Sequence, residues 1–189
     1  MRRHSRLLAL AAVMASAVAA GPVLAWHDGE SAPAVVAPDA LQSVYLEAED
    51  LLPALESFAA PGERQPGVAF AARQDIGGAF SGNAGVQLTN ANKGTRLTLR
   101  FDVPASGTYS VVARMGIGPD HGAVQPAIDG RPLGARFDGY APAAQRSKEL
   151  VLGRVELSEG AHTVTFTLVN KSAAATGLDA RVDYLKLEP

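Results

Sequence analysis

The sequence contains no cysteine, a single tryptophan and few aromatic residues, 6% in all. Without thiols there are no disulfides, no thiolate zinc sites and no cysteine nucleophile, so stability must come from a large core or a bound ion. Histidine is scarce as well: His27, His121 and His162 follow the amino-terminal leader, each in an unrelated context. Gly-x-Ser-x-Gly is absent, and the nearest string, Gly78-Ala-Phe-Ser81-Gly82, has the wrong spacing for a nucleophile elbow. Gly116-Ile-Gly-Pro-Asp-His-Gly122 matches neither nucleotide fingerprint and leads into no helix whose N-terminus could receive phosphate. No amphipathic helix of ten or more residues stands out.

What is present begins with a leader. Arg2, Arg3 and Arg6 precede an apolar run from Leu7 to Ala20 that only Ser16 interrupts, and Val23-Leu24-Ala25 offers small residues for cleavage. This is the pattern of a secretory signal peptide over residues 1–25, and the expected location is therefore extracellular or periplasmic. Gly21-Pro22 breaks the run before the ~20 apolar residues of a membrane span are reached. Loss of residues 1–25 leaves 14 basic residues against 19 acidic ones, a formal charge of −5 with no Lys/Arg cluster. Nucleic acid is thus not an expected partner. Residues 26–42, rich in alanine and proline, read as a flexible arm.

From Ser43 to the end the chain alternates. Leu97, Leu99, Phe101 and Val103 share one face of a segment whose other face carries Thr98, Arg100 and Asp102. Val164, Phe166 and Leu168 do the same against Thr163, Thr165 and Thr167. A period of two marks half-buried strands. Further strands are expected at 109–115 and 149–157, and shorter ones at 44–49, 68–72, 86–89, 124–129 and 181–187. Residues 51–60 suggest one helical turn, with Pro53 near its start. Turn chemistry separates the strands at Pro104–Gly107, Gly116–Gly122, Asp129-Gly130 and Ser158–Gly160. Many short strands with short turns indicate an all-β sandwich or barrel over residues 43–189.

Two constellations rise above this framework. Glu47 and Glu49 are two apart, so in a strand both carboxylates lie on one face; they face either solvent or a hard divalent ion such as calcium. Phe80, Asn83, Tyr140 and Asn170 are polar or aromatic residues in loops, of the types that stack on sugar C–H faces or bond hydroxyls. His121, in the glycine-rich loop, is the one histidine expected to be presented at a surface. His162 reads as a turn residue.

Several of these strings, in order, resemble family 6 and family 35 carbohydrate-binding modules. They are Glu47-Ala48-Glu49, Phe80-Ser81-Gly82-Asn83, Val103-Pro-Ala-Ser-Gly-Thr-Tyr109, Arg114 and Val182-Asp183-Tyr184-Leu185-Lys186-Leu187. Gly134–Tyr140, Leu152-Gly153-x-Val155 and Gly160-Ala-His-Thr163 resemble related β-sandwiches appended to bacterial glycoside hydrolases. The resemblance implies a jelly-roll β-sandwich of two antiparallel sheets, galactose-binding-domain-like, without catalytic activity. It implies a structural calcium held by Glu47, Glu49 and Asp183 with backbone carbonyls. It also implies a polysaccharide or cell-surface glycan bound among loops at one end, with Asn170 as the asparagine and Tyr140 or Phe80 as platform. Parity puts Asp183 on the face of Leu185 and Leu187, so either a bulge resets the register there or Asp183 does not reach the ion. The other reading of the same scaffold is a structural or adhesive β-sandwich without a sugar site.

Overall fold

The computed structural model describes residues 41–59, 70–75 and 79–189. The leader and nearly all of the arm lie outside the described residues. Thirteen strands occur among those described: β1 (Val44–Glu47), β2 (Leu55–Ala59), β3 (Phe70–Asp75), β4 (Ala84–Thr89), β5 (Arg96–Val103), β6 (Gly107–Ile117), β7 (Ala123–Ile128), β8 (Arg131–Pro132), β9 (Phe137–Asp138), β10 (Gln145–Arg146), β11 (Leu150–Leu157), β12 (Gly160–Asn170) and β13 (Ala180–Glu188). Two short 3-10 helices, Glu49–Ala54 and Ser81–Asn83, are the helical content among the described residues.

The strands form two sheets, antiparallel at every ladder. The seven-stranded sheet runs β10-β6-β13-β4-β3, with β1 added on β13 and β11 on β6; the six-stranded sheet runs β2-β5-β12-β7-β8, with β9 on β7. The expected all-β sandwich is therefore present. Alternation explains the core: Leu97, Leu99, Phe101, Val164, Phe166 and Leu168 of the six-stranded sheet face Val86, Leu88, Val111, Val182, Leu185 and Leu187 of the other, all buried. Burying each such side chain stabilises by about 1.5–3 kcal/mol. Tyr109 is buried with them, and its hydroxyl donates to the Ala105 carbonyl at 2.7 Å, which pins the turn between β5 and β6.

Two differences from the sequence reading have local causes. The expected helical turn is a 3-10 helix that starts earlier, at Glu49, and gives way to β2 at Leu55. In β13 the register slips between Val182 and Tyr184, which leaves Asp183 as the extra residue of a bulge. Val182 is buried in the core and Tyr184 turns to the outer face, so the bulge reverses the parity of the strand at that one residue.

Candidate functional site

The bulge brings the three acidic residues together. The Asp183 carbonyl accepts from the Ala48 N–H at 3.0 Å, and its Oδ1 accepts from the Ser81 N–H at 2.9 Å. Ser81 Oγ donates to Glu47 Oε1 at 2.6 Å and also bonds the Tyr45 hydroxyl at 2.7 Å. β1 ends at Glu47 and Glu49 opens the 3-10 helix, so the two glutamates converge through a turn and not through strand alternation. Asp183 and Glu49 are buried, at 0% and 6% exposure. Burial, with the neighbouring Glu47 charge adding and the Ser81 N–H opposing, pushes the Asp183 carboxyl up to about 6. Burial likewise raises Glu49, with Glu47 adding to it.

One oxygen of each carboxylate, Glu47 Oε2, Glu49 Oε2 and Asp183 Oδ2, is buried with no hydrogen-bond partner among the described residues. Gly82 closes this pocket at φ +54°. A Cβ there would lie 3.0 Å from Glu49 Oε1 and 3.9 Å from Glu47 Oε1. No group of three acidic or histidine side chains forms a ready-made coordination shell among the described residues; Ser81 instead bridges the carboxylates. Three buried carboxylate oxygens without partners, on residues joined through Ser81 and Gly82, are nonetheless of the type a hard cation takes, since such oxygens are costly to bury unpaired.

The sugar candidates divide. Asn170 is exposed and lines an open pocket of about 300 Å³ with Ala123, Arg136, Asp138, Lys171 and Ser172. Tyr140, half-buried, lies near this end; its N–H donates to Asp138 Oδ1 at 3.1 Å and its backbone bridges Gly118. Asn83 is exposed at φ 60°, in the turn that carries Ser81 and Gly82, on the acidic site and not in the loop pocket. Phe80 offers no open platform, because it is 6% exposed and the Arg181 guanidinium lies over its ring, 5.5 Å from the centroid. His121 is not presented at a surface either. It is 2% exposed, and its Nδ1 bonds Asp120 Oδ1 at 2.7 Å. Its loop is clamped by backbone bonds from Gly118 to Gly139 and from Asp179 to Asp120.

Three features were not foreseen. Tyr45 and Tyr184 pair at 4.8 Å on the outer face of the seven-stranded sheet, with Arg114 and Lys186 each 5.3 Å from the Tyr184 ring centroid and Glu149 bonding the Tyr184 hydroxyl. His162 joins a pair with Asp129, Nδ1 to Oδ2 at 2.7 Å. The outer face of the six-stranded sheet carries an open groove of about 480 Å³. Only the groove left a trace in the sequence, as the outward threonines and arginines of two alternating segments.

No family model matches the chain, and no curated protein matches it. Solved structures do. A xanthan lyase from Paenibacillus superposes with a TM-score of 0.62 at 20% identity, over 76% of this chain and 13% of its own. A GH26-CBM35 β-(1,4)-mannanase from Podospora anserina superposes with a TM-score of 0.52 at 14% identity, over 78% of this chain and 27% of its own. A family 35 carbohydrate-binding module from Clostridium thermocellum is also matched, with a TM-score of 0.46 at 18% identity, over 77% and 97%. This chain thus spans well under a third of the lyase and of the mannanase. At these identities the likeness is one of fold, and the fold is the β-sandwich that the motifs led one to expect.

Proposed function

We propose that the protein is an exported, non-catalytic carbohydrate-binding module whose sandwich is stabilised by calcium and whose sugar site is the loop pocket at Asn170. The observation that carries this reading is that pocket: Asn170, Arg136, Asp138 and Ser172 line one open concavity of about 300 Å³, beside Lys171, whose ammonium donates to the Ala175 carbonyl at 2.8 Å. Converging donors and acceptors of that kind match the hydroxyls of a glycan. The fold occurs within a xanthan lyase and a mannanase, which favours a polysaccharide partner. His121 is buried and both ring nitrogens of His162 are taken by Asp129 and the Ser158 carbonyl, so neither presents a free ring nitrogen at the surface, which favours a binding role over acid–base chemistry. Glu47, Glu49 and Asp183, with backbone carbonyls, would hold the calcium, which supplies the positive charge their orphaned oxygens lack. Export rests on the leader at residues 1–25.

Titration of the protein against a panel of polysaccharides and cell-wall glycans, with calcium present, tests the reading. Binding that weakens in Asn170→Ala supports it, and no binding to any glycan removes it. The covered ring of Phe80 and the absence, among the described residues, of an aromatic ring lining the Asn170 pocket favour a second reading, an adhesive sandwich that recognises proteins. A pull-down from the cell envelope that returns proteins and is unaffected by added sugars would decide for it.

A further inference from the structure

We propose that the outer face of the seven-stranded sheet joins two copies of this chain about a two-fold axis that runs along the strands, between β6 and β13. Two large apolar side chains are exposed among the described residues, Tyr45 at 46% and Val151 at 74%. The ladders put both on this face and in one row. Val151 pairs with Val112, Val112 with Lys186 and Lys186 with Tyr45, so the row crosses β11, β6, β13 and β1. Val112 faces outward, since Val111 and Ala113 on either side of it belong to the core. At ~4.8 Å per strand, Tyr45 and Val151 stand about 14 Å apart, at opposite ends of the row. Within one copy they cannot meet. A second copy turned about the axis lays each Tyr45 on the partner's Val151, and the stem of each Lys186 on the partner's Val112.

The charges suit the same operation. Arg154 and Glu188 are both exposed and flank Ser110, one on either side. They lie two strands, about 10 Å, apart, and among the described residues neither forms a salt bridge. The axis carries the partner's Glu188 over Ser110, next to Arg154, and the same pair recurs on its other side. On this part of the face Arg114, Arg154 and Lys186 stand among Glu149, Glu156 and Glu188, so the two signs balance. A balanced face has no net charge with which to hold an anionic lipid surface, whereas a second copy offers each sign its counterpart.

Four strands at ~4.8 Å and seven residues at ~3.3 Å span about 450 Å² of face per copy, or about 900 Å² for the pair. That places the contact at the small, reversible end of protein interfaces. Two sheets can stack in this way about 10 Å apart with their strands nearly aligned. β7 and β12, which frame the Asn170 pocket, belong to the other sheet, so a dimer presents that pocket twice.

Sedimentation equilibrium from about 1 μM to about 500 μM protein tests this, with a reversible dimer expected at a Kd on the order of 10–100 μM. Val151→Glu, at an exposed position, should raise that Kd by about tenfold or more, and a retained folded-state circular dichroism spectrum shows that the variant folds. Arg154→Glu and Glu188→Arg should each weaken self-association by about tenfold, because each sets like charges against one another. An equimolar mixture of those two variants should dimerise as wild type does, since both cross-interface pairs are then of opposite sign. A wild-type monomer over the whole range overturns the proposal, whether or not that monomer floats with vesicles of anionic lipid. A dimer that survives Val151→Glu and both charge variants overturns the choice of face. A mixture no more associated than either variant alone overturns the two-fold arrangement.

Discussion

The pair of His162 and Asp129 makes a pH-dependent clamp whose strength follows from its geometry. Asp129 and Gly130 form the two-residue turn between β7 and β8, both at positive φ, +47° and +74°. Asp129 Oδ1 accepts from the Thr163 N–H at 2.8 Å and Oδ2 faces His162 Nδ1 at 2.7 Å, which ties the hairpin to β12. His162 Nε2 in turn faces the Ser158 carbonyl at 2.8 Å. Both ring nitrogens thus point at acceptors, and only the doubly protonated imidazolium can donate to both. Burial works against the charge, but the bonds to Asp129 and Ser158 outweigh it and raise the His162 pKa. Burial also opposes ionised Asp129, while His162 and Thr163 lower its pKa overall. For a raised histidine the stabilisation is complete below its unfolded value, about 6.5, and is lost as pH rises through the folded value. For a lowered aspartate it is complete above about 3.9 and is lost as pH falls through the folded value. The plateau therefore lies between about pH 4 and 6.5. The Asp129 side chain is 43% exposed, which discounts the pair to about 1 kcal/mol, or about 3 °C in melting temperature for a chain of this length. A double-mutant cycle with His162→Gln and Asp129→Asn isolates it, since asparagine tolerates the positive φ and keeps an acceptor for Thr163. Thermal or urea unfolding should give a coupling of about 1 kcal/mol at pH 5.5, shrinking to a few tenths at pH 9. A coupling that is absent at pH 5.5, or as strong at pH 9, refutes the reasoning.

Other predictions are shorter. Chelation of calcium should lower the melting temperature by about 5–10 °C at neutral pH if the ion is present at ~100 times its Kd, and calorimetry with and without EGTA checks this. Gly82→Ala, which places a Cβ 3.0 Å from Glu49 Oε1 at φ +54°, should destabilise the protein by about 1 kcal/mol and weaken its response to calcium. Tyr109→Phe leaves the Ala105 carbonyl without its donor and should cost about 1 kcal/mol in urea unfolding. Phe166→Ala, which empties a fully buried site between the sheets, should cost about 3–5 kcal/mol by the same assay.

The strands that were legible are those long enough to show a period. Arg96–Val103 and Gly160–Asn170 alternate over eight and eleven residues, and their inward faces are the core that the alternation assigns. The two-residue strands β8, β9 and β10 have no period to read, and β2 was hidden by Pro53 and an apolar stretch that suggested a helix. Of the acidic site, the two glutamates were visible as a spacing, whereas Asp183 came through resemblance alone. The burial of His121 could not be read locally, because three loops far apart in sequence enclose it through backbone hydrogen bonds. Phe80 was misleading for a related reason, since the guanidinium that covers it comes from Arg181, on the last strand.

The bulge at Asp183 ties the two faces of this sheet to each other. One inserted residue keeps Val182 in the core, points a carboxylate at Ser81 and sends Tyr184 outward onto Tyr45 and Arg114. A regular strand would place Tyr184 on the Val182 side, and Asp183 on the opposite one. The acidic centre and the outer aromatic cluster therefore arise from one backbone irregularity, and the Tyr45–Ser81–Glu47 hydrogen bonds join them again through side chains. Any cation drawn to the orphaned oxygens acts on Glu47 and Asp183 together. A cation held there would thereby act on both routes by which Tyr45 and Tyr184 are held, and the outer surface of this sheet would report its binding.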